Sequence, residues 1–137
     1  MNFKTGPYDR FYLSFYQGQD LYDEGNNGIN WINRAGTMRW NHIFNEKLFL
    51  NTTFYASKYD YFLVFREDIE VEWNSHIENA SLKGDFTYFL NPNFNLDFGL
   101  AFSTYNFNPG NVLQGGTLFT SLPVTSQRNA NEFLLYA

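Results

Sequence analysis

Hydrophobic residues recur with a period of two, over stretches far longer than an ordinary strand, and few folds accommodate that. Between Phe94 and Phe102 the even positions read Phe94, Leu96, Phe98, Leu100, Phe102, and the odd positions that follow read Asn95, Asp97, Gly99, Ala101, Ser103. Successive side chains of a strand point to opposite faces, so this segment has one large apolar face and one small or polar face. The pattern recurs. Leu48, Leu50, Phe54 and Ala56 oppose Asn51, Thr53, Tyr55 and Ser57, and Ala80, Leu82, Phe86, Tyr88 and Leu90 oppose Ser81, Lys83, Asp85 and Thr87. Phe11, Leu13 and Phe15 oppose Tyr12, Ser14 and Tyr16, and, less cleanly, Gly36, Met38, Trp40 and Phe44 oppose Thr37, Arg39 and Asn41. No helical spacing fits these segments.

The alternation predicts an all-β chain, an antiparallel up-and-down meander of about six strands near 10–17, 31–44, 48–62, 71–90, 94–107 and 132–137. Asn45-Glu46-Lys47 and Asn91-Pro92-Asn93 read as tight turns, rich in the residues that short turns favour. The links 18–30 and 108–131 read as long loops, and 65–74 as a place where two strands extend into a hairpin. Short turns at one end and long connections at the other describe a sheet with one plain end and one elaborated end.

Alternation alone fits two solvents. In a soluble sandwich or lipocalin-like barrel the apolar face is the core, whereas in an outer-membrane barrel it meets lipid. Strand length favours the second. Soluble strands average about 5–6 residues, yet alternation here runs for 11 residues over Ala80–Leu90 and 13 over Phe94–Asn106. Eight steps from Phe94 to Phe102 span roughly 27 Å, or roughly 20 Å of membrane normal at a tilt of about 40°. The polar face agrees, because it carries Asn, Ser, Thr, Tyr and Gly where a water-facing sheet would carry Lys and Glu. Charged residues are only 17% of the chain, while asparagine fills 18 positions. Aromatics make up 21%, and they gather at both ends of the apolar spans. Phe44, Phe49, Tyr88, Phe89 and Phe94 lie beside the short turns, and Tyr16, Trp31, Tyr59, Tyr61, Trp73, Tyr105 and Phe107 lie at the other end, in the manner of two interfacial girdles. A part of a transmembrane outer-membrane barrel is therefore the expected fold, with a soluble all-β small-ligand binding module as the alternative.

Other classes are excluded more simply. The longest apolar runs, Tyr61–Phe65 and Phe133–Ala137, have five residues, against about 20 for a spanning helix. The first ten residues have no apolar core of the kind a signal peptide needs. A net charge of −5 argues against nucleic acid as a partner. Without cysteine there is no disulfide and no thiolate ligand or nucleophile. About six strands are too few to close a lipid-facing barrel, for which 8 is the practical minimum, so residues 1–137 are expected to be one segment of a larger wall.

The stretches RAGTMRWNHIFNEKLFLNTTFYASKYDY and SLKGDFTYFLNPNFNLDFGLAFSTYNFNPG carry a recurring strand–turn–strand texture. From about Tyr8 to Ala137 the chain resembles the barrel of a TonB-dependent receptor of Gram-negative bacteria, best matching members with a carboxypeptidase-like extension. The resemblance implies a 22-stranded barrel in the cell outer membrane, closed by a plug domain. It also implies uptake of a bulky solute, such as a ferric chelate, cobalamin or a glycan, powered through the TonB complex. The partners it implies are outer-membrane lipid and lipopolysaccharide, the remaining strands, the plug and, through the complete receptor, TonB. The plug, the TonB box and the closing C-terminal strand have no counterpart in this sequence.

No sequence motif points to an enzyme, a cofactor or a metal centre. His42 and His76 are 34 residues apart, without zinc-ligand spacing, and are expected at the short-turn interface and the long-loop rim. Gly115-Gly116 lacks the context of a phosphate loop. Asn51 and Asn79 begin glycosylation-type triplets in the middle of strands. Arg66-Glu67-Asp68-Ile69-Glu70-Val71-Glu72 with Glu78 holds five acids against one base; it reads as a solvated hairpin, or as a site for a divalent cation. Contacts with solute or plug are expected from Arg39, Asn51, Tyr55, Tyr59 and Lys83 on the polar face, and from Trp73 near the long loops.

Overall fold

The computed structural model describes residues 1–66, 70–114, 117–118 and 126–137. Among the described residues every regular element is a strand. Their order is β1 (Asn2–Lys4), β2 (Asp9–Glu24), β3 (Asn27–Ile43), β4 (Leu48–Arg66), β5 (Glu70–Asn91), β6 (Phe94–Gln114), β7 (Thr117–Leu118) and β8 (Arg128–Tyr136). Each of β1 to β6 pairs antiparallel with the next, and β6 then pairs with both β7 and β8. The result is one meander that does not close on itself. Six strands are long, as the alternation predicted; β1 and β7 are short additions that carry no periodic signal.

Local chemistry fixes the ends. Asn45 Oδ1 accepts from the amides of Lys47 (2.9 Å) and Leu48 (3.0 Å), and Asn91 Oδ1 from that of Asn93 (3.0 Å), which holds both tight turns. At the opposite end Gly25, with φ of 61°, and Asn26, whose φ is not positive, form a two-residue hairpin turn of the II′ kind. The expected long loop over 18–30 is therefore not a loop. Gly18 pairs with Asn33 and the ladder continues to Glu24 opposite Asn27. Both faces are polar or mixed beyond the apolar span, so the period-two signal fades while backbone pairing continues.

The expected loop over 108–131 is likewise corrected at both ends, since β6 runs to Gln114 and β8 begins at Arg128. Pro109 and Gly110 both fit within β6 because together they oppose Ser75 alone, between the pairs His76–Asn108 and Asn74–Asn111. Such a bulge tolerates a proline that a regular ladder would reject. The hairpin extension expected over 65–74 is present, with Arg66 opposite Glu70.

Register aligns the faces. Leu13, Met38, Phe54, Leu82, Phe102 and Phe133 form one row, a residue from each long strand. Each of the six is between 41% and 64% exposed. No hydrophobic side chain is buried among the described residues. The accessible surface is 9868 Å², against roughly 7,400 Å² for a compact monomer of this mass. A single layer explains both numbers. Among the described residues no second layer lies over Leu96, Phe98 and Leu100, and the hydrogen-bond ladder, with cross-strand pairs such as the stacked rings of Phe86 and Phe98 (5.2 Å), holds the sheet.

Candidate functional site

The two faces differ in chemistry, and each is graded along the strands. On the apolar face, large side chains extend from the level of Leu48, Tyr88 and Leu96 to the row Phe15, Gly36, Ala56, Ala80. The next row is Gln17, Arg34, Lys58, Glu78, Asn106. There Arg34 Nη1 reaches Asp60 at 3.0 Å, while Lys58 Nζ reaches Glu78 at 2.9 Å and Asp60 at 3.6 Å. The apolar span thus ends in a belt of ion pairs. At its other end Asp9 Oδ1 accepts from Trp40 Nε1 (2.9 Å) and lies 2.7 Å from His42 Nδ1, and Phe44 packs edge-on to that imidazole. His42 and His76 occupy the short-turn and long-connection ends as expected.

The opposite, polar face holds all six residues singled out from the sequence. Arg39, Thr53 and Lys83 share a row on β3, β4 and β5, and Asn51 sits in the neighbouring row between Asn41 and Asp85. Arg39, Asn51 and Lys83 are therefore brought together. Asn41 Nδ2 donates to Asn51 Oδ1 at 2.5 Å, and Lys83 pairs with Asp85 at 2.9 Å. The Tyr136 hydroxyl donates to the same carboxylate, with the Lys83 ammonium 5.3 Å from the tyrosine ring centroid. Tyr55 lies one row further, opposite Thr37 and Ser81, whose hydroxyl bonds Ser103 at 3.0 Å. Tyr59 and Trp73 stand apart from the cluster, towards the long extensions. Trp73 is fixed by the bulge, donating Nε1–H to Pro109 O at 3.1 Å. Its ring occupies the space a side chain at Gly110 would need, where φ is +131°.

Four members of the cluster escape reading from the sequence. Arg10, Asn41, Asp85 and Tyr136 have the right parity, but only the strand register places them beside Arg39 and Lys83. A cavity of about 510 Å³ opens on this face near the short turns, lined in part by Arg10, Tyr12, Asn41, Asn51, Thr87 and Phe89. Arg10 and Arg39 make no ion pair among the described residues. The face offers hydrogen-bond donors and aromatic edges suited to a polar solute or a polypeptide segment.

The aromatic distribution corrects one expectation. Phe44, Tyr88 and Phe94 do lie on the apolar face at the short-turn end, whereas Phe49 and Phe89, expected with them, pack edge-on against each other on the polar face. The rings at the other end (Tyr16, Trp31, Tyr59, Tyr61, Trp73, Tyr105 and Phe107) all share the parity of the polar face. They are one residue out of step with Gly36, Ala56 and Ala80, so they form an aromatic zone above the polar cluster and no girdle on the apolar side. Among the described residues no group of three His, Cys, Asp or Glu side chains could hold a metal ion. Of the acidic run, Arg66 pairs with Glu70 at 3.0 Å, whereas Glu67, Asp68 and Ile69 lie outside the described residues, as do Gly115 and Gly116. Asn51 and Asn79 sit within β4 and β5. Comparison with family models, with curated proteins and with solved structures finds no match to this chain.

Proposed function

We propose that the chain is a run of neighbouring strands in the wall of an outer-membrane TonB-dependent receptor. In that reading the complete receptor takes up a bulky solute (a ferric chelate, cobalamin or a glycan) across the cell outer membrane. One observation carries it. The apolar side chains of six long strands line up in register on one face of a single-layered sheet, and none of the described residues covers them. In water such a face is a large unfavourable exposure; against acyl chains it is the ordinary outer surface of a barrel. On β4 the apolar span from Leu48 to Ala56 has nine residues, which matches the roughly 9–11 tilted residues that cross a bilayer.

The receptor assignment itself comes from the strand–turn–strand texture of the sequence. In it the polar face meets solute and plug, with Arg10, Arg39, Asn51 and Lys83 as hydrogen-bonding and charged contacts and Tyr55, Tyr59 and Trp73 as rings above them. The two open edges need neighbouring strands, because an unpaired backbone group in hydrocarbon costs several kcal/mol. TonB engages the complete receptor, and no catalysis is assigned. A soluble binding module would need a core that the described residues do not form.

Leu100 lies in the middle row of the apolar span and Ala101 beside it on the other face. In the complete barrel reconstituted into bilayers, Leu100→Arg should cost about 2–4 kcal/mol, as a cation at the membrane midplane does. Ala101→Arg should cost little. Equal costs, or a chain that stays in the aqueous fraction without lipid or detergent, would defeat the proposal.

A further inference from the structure

Charge is divided unequally along this sheet. Segments 17–34 and 58–78, at the long end of β2–β3 and β4–β5, hold nine carboxylates against three basic residues. The rest of the chain holds five against six, so a net −6 at the long end faces +1 elsewhere. The three basic residues, Arg34, Lys58 and Arg66, all stand on the face of the apolar span, and each pairs there with a carboxylate, Asp60, Glu78 and Glu70 respectively. The opposite face has no such compensation. Beyond the Arg39–Lys83 row, β2 to β5 present Asp20 and Glu24 on it and no lysine or arginine.

These carboxylates stand among rings. Asp20, Trp31 and Tyr61 are consecutive partners across β2, β3 and β4, which brings neighbouring Cβ atoms to roughly 4.5–5.5 Å. Trp31 Nε1 donates to Asp20 Oδ2 at 3.0 Å and so fixes the indole beside the carboxylate. The adjoining row is Gly18, Asn33, Tyr59. It places Tyr59 diagonal to Trp31, and the Tyr16 hydroxyl fills the space a side chain at Gly18 would take. Among the described residues none of these four rings stacks on another, and the chain's own cation–ring contact is elsewhere, at Lys83 and Tyr136. Their faces are free for a ligand.

An aromatic face attracts a cation through its quadrupole, most strongly for tryptophan, and alkylammonium groups are the ligands that ring clusters hold best. Asp20 and Glu24 add Coulomb attraction of the same sign. An anion meets repulsion there, and an uncharged group gains nothing from either carboxylate. We propose that the Trp31–Tyr61 row and the rings around it bind an alkylammonium group, so that the solute taken up is an organic cation. The inference rests on the receptor reading above and names the charge class of its solute.

The test uses the complete barrel in uncharged detergent micelles and three probes of one shape: choline, its uncharged carbon isostere neohexyl alcohol, and ionised tert-butylacetic acid. Calorimetric titration reads the affinity of each, and membrane insertion is scored separately by protease protection. Choline should bind about tenfold more tightly than the alcohol, a difference of about 1.4 kcal/mol, and the anion should bind least. Trp31→Leu should abolish choline's advantage. Tyr61→Leu should reduce it, whereas Tyr61→Phe, which keeps the ring, should preserve it and guards against a folding artefact of the leucine. Asp20→Asn retains an acceptor for the indole and should lower both choline affinity and its dependence on salt. Choline and the alcohol bound equally, choline undiminished on Trp31→Leu, or Tyr61→Phe as damaging as Tyr61→Leu, each overturns the site while the receptor reading stands. Failure of the unaltered barrel to insert removes both.

Discussion

Two glycines of this sheet show how differently the same residue can be used. Gly110 sits in the β6 bulge at φ +131° with the Trp73 indole where a Cβ would go. Gly110→Ala must strain the backbone and displace that ring, so a loss of about 1–3 kcal/mol is expected, read by urea titration of the refolded chain with tryptophan emission as the probe. Gly36, with open space around it, should tolerate alanine without loss. Lys58 and Glu78 lie one row beyond the apolar span and invite a titration. The hydrogen bond from Lys58 holds the Glu78 carboxyl below its ordinary value of 4.5, and the bond to Glu78 raises Lys58 above 10.5. A lowered carboxylate contributes stability that is present above its ordinary value and lost as pH falls through the folded one; for the raised lysine the loss comes as pH rises past its folded value. The β4–β5 arm should therefore loosen in acid below about pH 4.5. An NMR titration should place the Glu78 midpoint below 4.5, and Lys58→Gln should return it upward. Both groups are largely exposed, so the effect on overall stability should be small.

At the scale of the strand, what the sequence discloses depends on contrast between the faces. Between Phe94 and Phe102 the faces differ in every residue, and the strand is legible almost to its ends. In β2 beyond Gln17 both faces are polar or mixed. Asp20 accepts from Trp31 Nε1 at 3.0 Å and Gln19 donates to Asn30 at 3.2 Å, so side chains of opposite strands satisfy each other where a loop had been expected. The turn chemistry was visible in Gly25, yet its meaning required the pairing. Replacing Gly25 with Val should disfavour the φ of +61° and fray the hairpin from its tip. Faster amide exchange at Tyr22 and Ile29, with rates unchanged at Leu13 and Met38, would show it.

For the whole molecule, the alternation foretold a meander with one apolar face but left the cross-strand partners undetermined. Arg39, Asn51 and Lys83 were picked out by parity; their grouping with Arg10, Asp85 and Tyr136 depends on registers that link residues up to 51 positions apart. The long-end aromatics show the opposite: nearness along the chain to the apolar span does not put a ring on the apolar face, because parity decides the face. Exposure of the Leu13–Phe133 row has a direct consequence in solution. Without detergent the chain should be oligomeric or aggregated and should enhance ANS fluorescence, and detergent should reverse both; a monodisperse, ANS-silent monomer would contradict the single-layer surface.

The β2–β3 ladder stays paired to its last residues, from Gln17 opposite Arg34 up to Glu24 opposite Asn27. Seven further steps carry this arm roughly 24 Å past the ion-pair belt. A paired ribbon has already surrendered most of its backbone freedom on folding, unlike an open loop of equal length. Under the proposed function, cargo captured against Trp31 and its neighbours would meet a stiff palisade, and little affinity would be lost to ordering the protein at the moment of contact.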